Sequence, residues 1–144
     1  MSAYADTGFI VSLYKEESTS AEANTAIRNV EAPVLLSELS VLEFRNATNL
    51  AVFRKETTED ARTIILKRFE SDLEAGIFRA MPVPSSKLYS TSARLSDAHS
   101  STLGTRSLDL MHVAAALILG AETILSFDSR QRSAAEAEGL EVLP

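Results

Sequence analysis

Short uninterrupted apolar runs alternate along the chain with longer stretches whose apolar positions recur every three or four residues. The runs predict strands at 3–5, 33–36, 77–83, 123–127 and 140–143. The longer period predicts helices at 8–14, 19–30, 37–53, 58–75, 86–101, 107–119 and 129–138. Within 58–75 the pattern is carried by Ala61, Ile64, Ile65, Leu66, Phe69 and Leu73. Thr19 and Glu22 have capping-box spacing, and Gly139 suits the end of the last helix. Strand alternating with helix, beginning with a strand, predicts an α/β protein. The expected form is a three-layer α/β/α sandwich with a mostly parallel central sheet.

The 144 residues suit a single domain over 1–144, with no repeat or linker beyond the loop Pro82-Val83-Pro84-Ser85-Ser86. A hydrophobic share of 45% supports an ordinary core. Zero cysteines exclude a disulfide scaffold, a thiolate nucleophile and a zinc site built on sulfur. The charge of −6 argues against a broad basic face for nucleic acid, though not against a nuclease with local contacts. The first residues lack the basic and apolar regions of a signal peptide. The longest apolar run, Val113 to Leu119, is far short of the ~20 residues that span a bilayer. The expected location is cytoplasmic, with no membrane partner.

In open α/β sheets ligands gather beyond the carboxyl ends of the strands. Asp6 follows the first predicted strand and Asp128 the fourth, which places both on one sheet edge. Each alone is well explained as a helix N-cap, contributing about 1 kcal/mol. Asp109 opens a helix that continues Leu110-Met111-His112-Val113-Ala114-Ala115-Ala116, apolar nearly all round and therefore buried. A carboxylate there gains only ~0.3–1 kcal/mol from the helix dipole, so a functional role explains it better. Glu43 could complete a capping box from Ser40, but a helix starting near Ser37 places it inside, flanked by Val41, Leu42 and Phe44.

Four converging carboxylates repel one another unless a cation joins them. Oxygen ligands without cysteine select Mg²⁺ or Mn²⁺, ions that keep several waters usable as nucleophiles in phosphodiester hydrolysis. No Gly-rich phosphate loop is present, and neither His99 nor His112 lies in a nucleophile-elbow context. His112 shares a helix face with Asp109 and either borders the site or packs as a hydrogen-bonded histidine. Arg45, Arg106, Arg130 and Arg132, near the acids in sequence, either grip a phosphate backbone or are solvated surface.

Tyr4-Ala5-Asp6-Thr7, Leu42-Glu43-Phe44-Arg45-Asn46-Ala47, Leu108-Asp109-Leu110-Met111-His112-Val113-Ala114 and Leu125-Ser126-Phe127-Asp128 resemble, in this order, the PIN domain. Within that family the resemblance is to VapC-type toxins of bacterial toxin–antitoxin pairs, and it covers essentially the whole chain. It implies a Mg²⁺- or Mn²⁺-dependent endoribonuclease with Asp6, Glu43, Asp109 and Asp128 as catalytic quartet. Asp6, Asp109 and Asp128 are then the implied metal ligands, Glu43 completes the cluster or positions water, and Thr7 and Ser126 hydrogen-bond the carboxylates or the water. Many members carry a small hydroxyl or amide residue at Gly8 and threonine at Ser126.

The resemblance also implies a homodimer bound by a VapB-like antitoxin that places a basic side chain in the acidic pocket. Ile64, Ile65 and Phe69, with Leu50 and Phe53, form either a groove for such a partner or intramolecular core. The alternatives are a PIN nuclease of RNA processing without an antitoxin and a non-catalytic PIN-like interaction module. A receiver-type phosphoacceptor fails because it needs a late lysine, and the last lysine is Lys87.

Overall fold

The computed structural model describes residues 2–144. Its strands are β1 (Ala3–Ala5), β2 (Val34–Ser37), β3 (Phe78–Met81), β4 (Thr123–Leu125) and β5 (Glu141–Leu143). They form one sheet in the order β3-β2-β1-β4-β5, and every neighbouring pair is parallel. The expected sandwich is therefore present, with a sheet that is parallel throughout.

Helices α1 (Thr7–Tyr14), α2 (Ser20–Arg28), α3 (Glu38–Phe53) and α4 (Glu59–Glu74) connect β1 to β2 and β2 to β3. Next come α5 (Ser85–Leu95), a π-helical turn at Ser96–Ser100, the short α6 (Ser101–Leu103) and α7 (Ser107–Ile118). α8 (Ser129–Ala137) links β4 to β5. Among the described residues no helix is long and apolar enough to cross a membrane.

Strand alternation divides the interior. Ala3 and Ala5 face a core with Phe9, Ile10, Tyr14, Phe44, Phe69 and Phe78. Its rings meet closely, Phe44 and Phe69 at 4.6 Å between centroids. Tyr4 points the other way, into an aliphatic core of Leu88, Leu95, Val113, Ile124 and the alanines of α7 and α8. The nearly all-round apolar stretch after Asp109 is buried there, as its pattern predicts.

The departures are local. β3 stops at Met81 because Pro82 has no N–H to give the ladder. The predicted strand 123–127 is paired only to Leu125, and Asp128 then caps α8. The predicted helix 86–101 begins at Ser85 and changes from α to π geometry after Leu95. Gly104, at φ 67°, supplies the left-handed residue that ends this region. Thr19 occupies the N-cap of α2, but its hydroxyl meets Ser12 Oγ at 2.7 Å and caps nothing. The apolar stripe divides: Phe69 is core and Ile65 packs on it, whereas Ile64 and Phe53 are exposed, Phe53 by 83%. Leu50 and Ile65 line a cleft of about 490 Å³ between α1 and α3.

The chain winds outward from β1 to β2 and β3, then returns to β4 and β5 on the other side of β1. The strand order therefore reverses between β1 and β4, where doubly wound sheets leave a crevice.

Candidate active site

Ala5 and Leu125 are paired at the carboxyl edge, and the Asp6 N–H still donates to the Leu125 carbonyl at 3.1 Å. Both strands end here and their chains turn into helices. Asp6 caps α1 through Oδ1, which accepts the Phe9 N–H at 2.8 Å. Its Oδ2 accepts the Ser126 hydroxyl at 2.6 Å. Burial pushes the Asp6 carboxyl above its ordinary pKa, against the opposing bonds from Ser126 and Phe9. Asp128 caps α8 through Oδ1, 2.9 Å from the Gln131 N–H. Both aspartates are thus caps, and for Asp128 that role occupies one oxygen only.

Asp109 lies in the first turn of α7, where its Oδ2 accepts the Arg106 N–H at 3.1 Å. Its Oδ1 accepts no hydrogen bond among the described residues. Glu43 lies inside α3, whose N-cap is Ser37, so the Ser40–Glu43 capping box does not form. Instead Glu43 Oε1 accepts the Thr7 hydroxyl at 3.0 Å and meets His112 Nε2 at 2.6 Å. Its Oε2 has no such partner among the described residues.

Behind this pair runs a buried chain of hydrogen bonds. His112 Nδ1 is 2.8 Å from the Tyr4 hydroxyl, which is 2.9 Å from both Ser37 Oγ and Ser40 Oγ. Burial raises Tyr4 from 10.0 to about 12, so its phenol keeps its proton at neutral pH. An ionised Glu43 only accepts, so Nε2 of His112 carries the hydrogen between them. Burial alone raises the Glu43 pKa, but the His112 hydrogen bond, its electrostatic attraction and the Thr7 bond outweigh this and leave it lowered. His112 is therefore a hydrogen-bonded histidine that also borders the pocket.

Asp6, Glu43, Asp109 and Asp128 line one pocket of about 510 Å³, with Thr7, Gly8, Arg106, His112 and Gln131 among its other walls. Arg106 spans two acids, with Nε 3.4 Å from Asp109 Oδ2 and Nη2 3.8 Å from Asp128 Oδ2. The other arginines are engaged elsewhere: Arg45 faces Glu70, Arg130 the Gly104 carbonyl, and Arg132 the carbonyls of Ser126 and Pro144. A Cβ added at Gly8 meets nothing nearer than Asp6 Oδ1 at 3.8 Å, so the pocket does not require glycine there.

Among the described residues no three Asp, Glu or His side chains stand ready as a metal cage. The donor set nevertheless fits a hard divalent cation. It offers carboxylate oxygens from Asp6, Asp109 and Asp128 and no sulfur. Arg106 holds part of the positive charge meanwhile.

The pattern of the chain pointed to the four acids and the family resemblance added Thr7 and Ser126, but neither gave Gln131 or Tyr4 a role in the site. Gln131 is buried, and its Oε1 has no donor among the described residues. Its spacing from the cap, Asp128-Ser129-Arg130-Gln131, was the available signal. Tyr4 is 108 residues from His112, and nothing local links them.

A family model described as PIN domain matches residues 3–137. No curated protein matches the chain in sequence. Solved structures share its fold at low identity. FitAcB from Neisseria gonorrhoeae is 18% identical over 99% of this chain and 96% of its own, with a TM-score of 0.70. VapC20 from Mycobacterium tuberculosis, described as a sarcin–ricin loop cleaving toxin, is 16% identical over 99% and 100%, at 0.70. VapBC2 from Rickettsia felis, bound to a DNA fragment from its promoter, is 14% identical over 99% and 97%, at 0.66.

Proposed function

Since the chain belongs to the PIN-domain family, we propose that it is a divalent-metal-dependent endoribonuclease, the toxin of a type II toxin–antitoxin pair. The observation that carries this reading is the meeting of four carboxylates from four separate segments in one pocket at the sheet's switch point. The toxin assignment draws on the likeness to VapC20 and to the FitAcB and VapBC2 structures. RNA is the substrate, a VapB-like antitoxin the partner, the active form a cytoplasmic homodimer, and residues 1–144 one catalytic unit.

In this reading Asp6, Asp109 and Asp128 hold Mg²⁺ or Mn²⁺, which supplies charge neutralisation and an activated water when bound. Ser126 fixes Asp6 through its 2.6 Å hydrogen bond. Thr7 and His112 both grip Oε1 of Glu43, so the opposite oxygen faces the pocket and orients the attacking water. Arg106 exchanges its carboxylate contacts for the RNA phosphate, a role suited to an exposed guanidinium.

The test is cleavage of total cellular RNA by purified, antitoxin-free protein, with and without Mg²⁺ or Mn²⁺, beside Asp109→Asn. Metal-dependent ends absent from the variant are the expected result and identify the target. Mn²⁺ should also raise the melting temperature of the wild type and not of Asp109→Asn. Protein that neither cuts nor responds to metal instead supports an interaction module.

A further inference from the structure

Tyr4 is fully buried in β1, with its ring in the aliphatic core. A phenylalanine would fill that space with no hydroxyl to desolvate. Three further polar side chains, His112, Ser37 and Ser40, converge on the phenol, and all are buried. Ser37 is accounted for as the N-cap of α3. Tyr4, Ser40 and His112 are not, because apolar groups of the same shapes would hold this core as well.

These groups make a circuit. From Ser40 Oγ it runs 2.9 Å to the Tyr4 hydroxyl, 2.8 Å on to His112 Nδ1, and from Nε2 2.6 Å to Glu43 Oε1. Ser40 and Glu43 are three residues apart on α3, so the circuit leaves and re-enters one turn of a single helix. Only its Glu43 and His112 end lines the acidic pocket. An imidazole held at one nitrogen swings about that bond; held at both, its direction is fixed. A hydroxyl donates and accepts, so the phenol serves Nδ1 whichever hydrogens the ring carries, with Ser37 and Ser40 completing its bonds. On the other side, Nε2 has Thr7 Oγ1 at 3.4 Å as an alternative to Glu43. Without the hold on Nδ1 the ring is free to divide its hydrogen between the two.

We propose that Tyr4 is a positioning residue for cleavage: its hydroxyl holds His112 by Nδ1, and His112 in turn fixes the Glu43 carboxylate. Tyr4 acts through these two residues and touches neither the RNA nor the metal. The proposal rests on reading Glu43 as the group that orients the attacking water, and its test separates the two.

Heteronuclear NMR reads the two histidine rings without metal or RNA in wild type, in Tyr4→Phe and in Tyr89→Phe, an exposed tyrosine as control. His112→Gln identifies the His112 signals. The Nε2 hydrogen of His112 should exchange slowly with water in wild type and Tyr89→Phe. In Tyr4→Phe it should exchange about tenfold faster, with the Nδ1 resonance displaced. Tyr4→Phe should lower kcat for RNA cleavage about tenfold at unchanged KM and Mn²⁺ affinity. It should add no further loss in a His112→Gln background. A loss that persists in that background overturns the proposal, because a role in packing alone multiplies with it. So does a folded Tyr4→Phe with wild-type kcat. A wild-type spectrum in which Nδ1 carries no hydrogen bond overturns it whether or not Tyr4→Phe folds. Wild type that cuts no RNA with or without metal overturns the reading of Glu43, and the proposal with it, even where the ring spectra are as expected.

Discussion

His112 meets Glu43 at 2.6 Å, and the chain's other histidine, His99, meets Glu138 at 2.8 Å. The two pairs differ in what happens to the second carboxylate oxygen. Glu138 gives Oε2 to His99 and Oε1 to Arg94 at 2.8 Å, so both are satisfied within the protein. Glu43, which lines the pocket, gives Oε1 to two donors, Thr7 and His112, and leaves Oε2 without a donor among the described residues. The same two residue types thus make a closed clamp in one place and an open site in the other. The first ties α8 to α5 and the π-helical turn. The second directs two donors to one oxygen, which fixes the orientation of the carboxylate.

The contrast predicts opposite outcomes for parallel substitutions. Glu43→Gln should lower RNA cleavage about 100-fold or more, with little change in melting temperature. Glu138→Gln should leave cleavage unchanged. His112→Gln should reduce cleavage by roughly tenfold through kcat, because Glu43 loses its orientation. That loss should disappear in a Glu43→Gln background, since the two residues act as one unit. Independent, multiplying losses in the double variant break the comparison.

At the other pair the readout is stability. Glu138→Gln should cost about 1–2 kcal/mol in urea denaturation at pH 7. The carboxyl of Glu138 is held below its ordinary pKa by hydrogen bonds from His99 and Arg94. A lowered folded-state pKa stabilises fully above the unfolded value of about 4.3 and loses that contribution as pH falls through the folded value. The gap between wild type and Glu138→Gln should therefore narrow as pH falls below the unfolded value and close once the folded carboxyl is protonated. The smallest effect sharpens the pocket side: Gly8→Ala should add about 0.4–1 kcal/mol of stability, its Cβ having room beside Asp6.

Legibility in the sequence followed the range of each interaction. The strand–helix alternation, the caps at Asp6 and Asp128 and the burial of α7 depend on neighbouring residues, and local pattern records them. Glu43 could be placed inside α3 because Ser37 signals the helix start. The pairing of His112 with Tyr4 joins distant segments, which hydrophobic period does not encode. Gln131 was hidden because its surroundings depend on a competition: Ser126 takes the Asp128 N–H that the amide would otherwise accept. Arg132, near the acids in sequence, points instead to the chain's own carbonyls.

The central position of β1 has a consequence for synthesis. Asp6 is made well before its Ser126 partner, which comes 120 positions later. β1 also lacks its β4 neighbour until that stretch is made. The acid pocket is therefore incomplete throughout the synthesis of the 120 positions that separate Asp6 from Ser126. In the proposed nuclease, the pocket closes only once β4 has been made and has paired with β1.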